Sequence, residues 1–231
     1  MIYFLKKIDK LLTISLGGIK MKKTIPFKKL MALFLGIFFA MSISSASSAH
    51  EMQSGARWIN TVTTGGKNYI NLAINTTYLN DNMKTPGSTA ANNWNNYSGT
   101  YVCSYIYNNP ASTVDIASCT TWFWFAGGVA GLTNVRDTAG NWYWSFTDGT
   151  TSNTGKSINF ANIYINPAAE GYSTKIKTQL VTHEIGHVMN LGHNETVSVM
   201  STASATWSDY DKPQDHDRND LVTYYKSSLG R

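Results

Sequence analysis

The stretch that decides the fold spans residues 183–193 and reads His183-Glu184-Ile185-Gly186-His187-Val188-Met189-Asn190-Leu191-Gly192-His193. Two histidines four residues apart lie one above the other on a helix, so both imidazoles can bind one ion. Glu184 lies about 100° around the helix, where its carboxylate can reach a water on that ion without binding the metal. The segment therefore predicts a metal-binding helix with a general base beside it.

The third histidine of this stretch requires the helix to end. His193 follows His187 by six residues, which is too far for one face of a continuous helix. The chain must turn near Asn190, and asparagine tolerates the left-handed conformation of such a turn almost as well as glycine. Three protein ligands leave a fourth position open, as in catalytic zinc sites. The alternative, buried histidines satisfied by backbone partners, would cluster three of the chain's five histidines without purpose.

The residues before this stretch predict where its helix begins and how deeply it is buried. Ser173 can cap a helix that runs from Thr174 to about Asn190. Its apolar residues form two adjacent stripes, namely Ile176 and Leu180 with the two histidines, and then Val181, Ile185 and Val188. A helix that is apolar on two faces is buried, so we expect a central helix inside the protein.

The first half of the chain is typical of strands and turns. Alternating or aromatic residues occupy 69–74, 101–107, 122–125, 141–146 and 159–166. A short helix is predicted near 89–97. We interpret the aromatic residues as a packed sheet face rather than a sugar-binding platform, because such residues are usually buried.

The N-terminal segment has the order of a secretory leader. Four lysines in 22–29 precede an apolar run over 30–41 and small residues that end at Ala49. We predict a signal peptide over 21–49, with 1–20 lying upstream of a second start at Met21. The apolar run is shorter than the roughly 20 residues of a membrane span, so no stable membrane anchor is expected. This division leaves one secreted domain, 50–231, which contains the predicted metal-binding helix and would be the catalytic domain of any enzyme in this chain.

Charge and cysteine content limit the partners and the compartment. Eight of the 19 Lys and Arg residues and one of the 14 Asp and Glu residues lie in 1–49, which leaves 11 basic and 13 acidic side chains. The basic character belongs to the leader, so no nucleic-acid partner is expected. Cys103 and Cys119 predict a disulfide in an exported protein, closing a loop of about 15 residues. Two free thiols or metal ligands are the alternatives.

Two motifs together resemble a known group of enzymes. Residues 183–193 resemble the zinc-binding signature of the metzincin clan of metallopeptidases, His-Glu-x-x-His-x-x-Gly-x-x-His, with Asn190 in place of the central glycine. Ser198-Val199-Met200-Ser201 resembles the Met-turn of that clan, a tight turn that puts a methionine beneath the metal. Residues 213–225 resemble the closing helix of the matrixins, so the chain is most similar to a minimal bacterial matrixin.

The resemblance implies a fold and an activity. The fold would be α+β, with a twisted mixed β-sheet, a backing helix, a central zinc-binding helix and a C-terminal helix. The activity would be that of a secreted, monomeric zinc endopeptidase acting on proteins or peptides. One Zn²⁺ would lie on His183, His187 and His193, with Glu184 as general base and Met200 in the Met-turn.

Several family features have weaker counterparts. Trp207 and Tyr210 would line the substrate wall, although plain packing explains them equally well. Calcium is unsupported, since Asp137 and Asp148 each lie near a glycine and are typical of turns. No propeptide with a cysteine switch is expected.

Two competing interpretations differ in their use of Glu184 and of the metal. A thermolysin-like enzyme needs a distant glutamate as third ligand, and Glu195, the one glutamate after His187, is too close. A secreted zinc-stabilised binding or adhesion module without catalysis is the alternative from another class. Glu184 counts against it, because a structural zinc site has no use for a carboxylate beside an open position.

Overall fold

The computed structural model describes six segments of the chain, 57–95, 101–119, 129–144, 156–193, 198–201 and 210–226. All of them belong to one compact unit, Ala46–Arg231. The predicted leader, the strand expected at 122–125, Asp148 and Trp207 lie outside the described residues. Among the described helices, none combines the length and the apolar content that crossing a bilayer would require.

The described strands form one mixed sheet. Its members are β1 (Arg57–Trp58), β2 (Thr61–Thr64), β3 (Lys67–Tyr78), β4 (Val102–Ile106), β5 (Val114–Ser118), β6 (Gly131–Asp137), β7 (Trp142–Trp144) and β8 (Ser157–Ile165). The order is β2-β3-β5-β8-β6-β7, with β1 paired to β8 and β4 paired to β3. The pairs β3–β4, β3–β5, β5–β8 and β1–β8 are parallel, whereas β2–β3, β6–β7 and β6–β8 are antiparallel. The α+β class with a mixed sheet is confirmed.

The long strand β3 organises one half of the sheet. A two-residue turn at Gly65 and Gly66, with φ of 59° and 75°, joins it to β2. Positive φ at both positions matches the right-handed twist of a hairpin and needs glycine. One edge of β3 pairs with β4, and the other pairs with β2 and then β5. β4 therefore lies on the far side of β3 from β5.

Three α-helices accompany the sheet in the described residues: α1 (Asp81–Asn95), α2 (Thr174–Val188) and α3 (Asp215–Tyr225). A 3₁₀-helix, Pro167–Gly171, precedes α2. Asn166 caps it with its side chain, which accepts from the backbone N–H of Ala168. The helices predicted around 174–190 and after 213 are both present.

Helix α1 begins earlier than the sequence predicts. The expected helix near 89–97 starts instead at Asp81, where the carboxylate lies 2.7 Å from Nζ of Lys84. Pro86 and Gly87 resemble helix breakers, yet both are buried inside α1. Gly87 fits there because a Cβ would come within 2.9 Å of Leu79 Cδ1. Close packing against Leu79, rather than helix propensity, therefore explains the glycine at position 87.

Helix α2 lies in the core, as its two apolar stripes predict. Every residue from Lys177 to Val188 is buried. Helix α1 packs along it, and the indole N–H of Trp94 donates to the Thr182 carbonyl at 2.9 Å. Strand β6 packs against another side of α2. The metal motif is therefore held between a helix and the sheet.

The predicted disulfide between Cys103 and Cys119 is wrong, since the two cysteines are not bonded to each other. Cys103 lies opposite Asn71 near the start of β3, and Cys119 lies two residues beyond Ala117, which is opposite Tyr78 at the end of β3. These positions are more than about 20 Å apart along an extended strand. A disulfide requires Cα atoms within about 7 Å.

Candidate metal centre

The first two histidines of the motif are presented by a capped, buried helix. Ser173 has the extended backbone of an N-cap, and its hydroxyl accepts from the Ile176 N–H at 3.4 Å. The helix then places His183 and His187 on one face, one turn apart. Their exposed fractions are 5% and 4%. Both imidazoles are thus fixed inside the protein.

The third histidine reaches the site through a left-handed turn. Asn190 has φ of 70°, which confirms the conformation predicted for it. The Leu191 N–H donates to the Gly186 carbonyl at 3.1 Å, and the Asn190 N–H donates to the His187 carbonyl at 3.0 Å. These two bonds form the Schellman motif that ends many helices, with asparagine in the place usually held by glycine. The chain then reverses and brings His193 back to the helix.

The three imidazoles converge through their Nε2 atoms. The Nε2 of His183 lies 3.0 Å from that of His187 and 3.1 Å from that of His193. The remaining separation, between His187 and His193, is 3.2 Å. His193 is partly exposed, whereas the other two are buried. The sequence-predicted ligands therefore meet at one point, and His193 is the most exposed of the three.

Two backbone carbonyls determine which nitrogens carry protons. The Nδ1 of His183 lies 2.7 Å from the Val199 carbonyl oxygen, and the Nδ1 of His187 lies 2.7 Å from that of Leu191. A carbonyl oxygen only accepts, so each Nδ1 is an N–H donor. When both rings are neutral, their Nε2 atoms carry lone pairs and cannot hydrogen-bond to each other. A cation between them would turn this repulsion into two coordinate bonds.

The separations fit a transition-metal ion. In a tetrahedral zinc site with Zn–N bonds of about 2.0–2.1 Å, ligand nitrogens lie about 3.3–3.4 Å apart. The observed 3.0–3.2 Å needs only a few tenths of an ångström of adjustment. Calcium and magnesium prefer oxygen ligands, so three imidazoles disfavour both. The cluster of His183, His187 and His193 could hold a metal ion.

The carboxylate of Glu184 is held by strand β6, which packs against α2. Its Oε2 lies 2.6 Å from the hydroxyl of Thr133, which is fully buried. The same hydroxyl lies 3.1 Å from the backbone carbonyl of Glu184. At Gly131, a Cβ would lie 2.6 Å from Oε1 of Glu184 and 2.9 Å from Cγ. One strand thus makes room for the carboxylate and binds it.

The surroundings of Glu184 favour a group that exchanges protons near neutral pH. Burial raises the pKa of Glu184 to about 7, against the hydrogen bond from Thr133, which lowers it. A cation on the neighbouring imidazoles would favour the carboxylate and lower the pKa again. A general base works best when its pKa lies near the operating pH.

Met200 lies beneath the metal motif in a tight turn. The Ser198 hydroxyl accepts from the Met200 N–H at 2.9 Å, and the Ser201 N–H donates to the Ser198 carbonyl at 3.2 Å. Met200 is fully buried, and a Cβ on Gly186 would overlap its Sδ. The carbonyl of Val199 in this turn also fixes His183. The turn therefore supports the helix from below and orients one ligand.

Tyr210 and Trp207 are the two residues predicted to line the substrate wall. Tyr210 is half-buried, and the next carbonyl, that of Asp211, accepts from Asn93 at 2.7 Å and from the Thr182 hydroxyl at 3.2 Å. Residue 211 therefore lies against α1 and α2 next to the motif. A substrate-wall role for Tyr210 stays a prediction, as does that of Trp207, which lies outside the described residues.

Asp137 is a turn residue, as expected. Its carboxylate accepts from the N–H groups of Ala139 and Asn141, each at 2.9 Å, and from the Tyr143 hydroxyl at 2.9 Å. Burial alone would raise its pKa, but the hydrogen bonds from Asn141, Tyr143 and Ala139 hold that pKa below its ordinary value. The Asp137 carboxylate is therefore hydrogen-bonded within the β6–β7 hairpin.

Sequence reasoning missed the residues that support the site from elsewhere. Gly131 and Thr133 lie about 50 residues before Glu184, and their spacing of two is the only sign that they share one face of a strand. The carbonyls of Val199 and Leu191 carry no side-chain signal at all. Comparison with protein-family models gives no match, and no curated protein matches the chain.

Proposed function

We propose that this chain is a zinc-dependent endopeptidase of the metzincin type, most similar to a minimal matrixin. The observation that carries the proposal is the meeting of three Nε2 atoms within 3.2 Å, two of them on rings whose Nδ1 atoms face backbone carbonyls, with a buried carboxylate on the residue after His183. Protein or peptide substrates follow from this class. The leader-like segment before residue 50 supports action outside the cell.

The three histidines would hold the ion, and the carbonyls of Val199 and Leu191 would keep their partners in the metal-binding tautomer. Outer partners of this kind fix ring orientation and raise ligand basicity. Zinc, when bound, supplies a Lewis acid that acidifies water and polarises a peptide carbonyl. Three protein ligands leave a position for water or substrate.

Glu184 performs the proton transfers in this proposal. Its carboxylate accepts a proton from water as the water attacks the peptide carbonyl, and it then passes that proton to the departing amine. Thr133 and Gly131 keep the carboxylate in one place during both transfers. Since none of these steps uses Glu184 as a ligand, metal binding and catalysis depend on different residues.

The deciding experiment pairs metal content with peptide cleavage for two variants. Glu184→Ala should retain one equivalent of zinc, because the three imidazoles remain, while cleavage falls by at least the roughly 10²–10⁴ typical of a lost general base. His187→Ala should lose the metal itself. Glu170→Gln is a matched control in the 3₁₀-helix, where the carboxylate accepts from Asn80 at 2.7 Å. It should leave both readouts unchanged.

Two outcomes would overturn the protease proposal. The first is a Glu184→Ala protein that cleaves as fast as the parent chain. The second is a zinc-loaded parent chain that cleaves none of a diverse peptide library. Either result would favour the zinc-stabilised binding module.

A further inference from the structure

The turn that ends α2 acts on two of the three ligands. It sends the chain back so that His193 reaches the other imidazoles. Its Leu191 carbonyl also accepts from the Nδ1–H of His187 at 2.7 Å. A small displacement of this turn would therefore move His193 and break the hydrogen bond between the Leu191 carbonyl and His187.

Two consecutive tyrosines of α3 hold this turn. The hydroxyl of Tyr225 donates to the Met189 carbonyl at 3.0 Å, immediately before the left-handed residue. The side-chain amide of Asn190 donates to the Tyr224 hydroxyl at 3.3 Å. Tyr225 is 1% exposed, so its hydroxyl has no solvent to replace a lost partner. Helix α3 thus touches the turn at two adjacent residues.

The same tyrosines are bound on their other side by β1. The backbone N–H of Trp58 donates to the Tyr225 hydroxyl at 3.0 Å. The guanidinium of Arg57 lies 5.1 Å from the centre of the Tyr224 ring. The N–H groups of Arg57 and Ile59 donate to the carbonyls of Lys156 and Ile158. Because successive N–H groups of a strand alternate in direction, that of Trp58 points away from β8. Tyr225 therefore joins β1 to the end of α2 through one buried oxygen.

We propose that Tyr225 is a positioning residue of the metal centre: its hydroxyl, held by β1, sets the turn that carries His193 and orients His187. The inference rests on the proposed function in requiring that the three histidines bind zinc. It concerns metal affinity, however, and does not depend on peptide cleavage. Mutating a group that hydrogen-bonds directly to a metal-ligating side chain typically weakens metal binding by about 10- to 100-fold. Tyr225 bonds the Met189 carbonyl rather than a ligand, so we expect its loss to weaken zinc binding about tenfold.

The test compares two Tyr→Phe variants of the full chain. Tyr225→Phe removes the hydroxyl that bonds Met189 and Trp58. Tyr143→Phe removes a hydroxyl that donates to Asp137 at 2.9 Å in the β6–β7 hairpin. Zinc dissociation constants are measured by competition with a chromophoric chelator, at a temperature where both proteins are folded. We expect the constant to rise about tenfold for Tyr225→Phe and to stay within twofold of the parent for Tyr143→Phe.

The visible spectrum of the Co²⁺-loaded proteins gives a readout that a general loss of stability would not change. The ligand-field bands should shift or weaken in Tyr225→Phe, because His193 moves, and should be unchanged in Tyr143→Phe. If Tyr225→Phe does not fold, Tyr224→Phe replaces it, with an expected two- to threefold loss of zinc affinity.

The possible failures are distinguishable. A parent chain that binds no zinc would overturn both this inference and the proposed function. A parent chain that binds zinc, with Tyr225→Phe equal to it in affinity and in cobalt spectrum, would overturn only the role of Tyr225. A loss of the same size in Tyr143→Phe would also overturn it, because the effect would then be general.

Discussion

Gly131 lies on β6 next to α2, Gly186 lies within α2, and at each position a methyl group would meet a side chain of the site. At Gly131, on β6, it would come within 2.6 Å of Oε1 of Glu184. At Gly186, within the helix, it would overlap Sδ of Met200 and lie 3.3 Å from Cζ2 of Trp94. The first glycine makes room for the proposed base, and the second makes room for the support under the metal ligands.

On the proposed function, the difference indicates that the base and the metal ligands have largely separate supports. Glu184 is held by the sheet, through Thr133 and the space at Gly131. The ligands are held by carbonyls of two turns, those of Leu191 and Val199. Substitutions on β6 should therefore affect catalysis alone, whereas substitutions near the turns should affect the metal.

The largest effect is expected from Gly131→Ala. The new methyl group must displace the Glu184 carboxylate, since backbone on one side and helix on the other leave little other freedom. We expect peptide cleavage to fall about 100-fold through kcat, because misplacing a catalytic group by about 1 Å has that cost. Zinc content should remain at one equivalent. Steady-state kinetics and metal analysis measure both.

Two variants of Thr133 test the hydroxyl that binds the Glu184 carboxylate. Thr133→Val keeps the shape but removes the hydroxyl on Oε2 of Glu184, whereas Thr133→Ser keeps the hydroxyl. Serine should restore most of the kcat that valine loses. Gly171→Ala is the matched glycine control, since nothing lies within 4 Å of a Cβ there. If Gly131→Ala loses zinc as well as activity, the two supports are not separate.

Gly186→Ala should have an intermediate effect on stability and on metal affinity. Alanine favours a helix over glycine by about 1 kcal/mol, but overpacking a core typically costs about 1–3 kcal/mol. With Met200 on one side and Trp94 on the other, we expect the overpacking to prevail by about 1–2 kcal/mol. Denaturant unfolding of the metal-free protein checks this, with Gly171→Ala as control. A variant more stable than the parent chain would show that Met200 moves freely.

The smallest effect is expected at Asn190. Its φ of 70° is strained for a β-branched residue by about 1–2 kcal/mol, so Asn190→Val should weaken zinc binding. Asn190→Gly relieves the strain but loses the amide bond to Tyr224, so it should bind zinc within about two- to threefold of the parent chain. Chelator competition measures both. Equal zinc affinity in the valine variant would mean that the turn adapts without losing His193.

The local part of this site follows from sequence, and the distant part does not. Helical spacing places His183 above His187, and the need to return His193 predicts the left-handed Asn190, because both depend only on near neighbours in the chain. Gly131 and Thr133 reach Glu184 through sheet topology, which residue periodicity does not specify.

The two wrong predictions have the same origin. The spacing of Cys103 and Cys119 suggests a small loop, but β4 and β5 lie on opposite edges of β3 and at opposite ends of it. Pro86 and Gly87 suggest a helix that starts late, but burial against Leu79 makes glycine suitable inside α1. In both cases a long-range contact outweighed the local signal.

The hydrogen bond between Trp58 and Tyr225 spans 167 residues. During synthesis, the strand that contains Trp58 emerges long before the helix that contains Tyr225. Contacts between distant residues form slowly, because the intervening chain must lose entropy first. The turn that carries His193 consequently reaches its final position late in folding. If the chain is the endopeptidase proposed above, a nascent chain would bind metal weakly for most of its synthesis and would not yet cleave proteins of the cell that makes it.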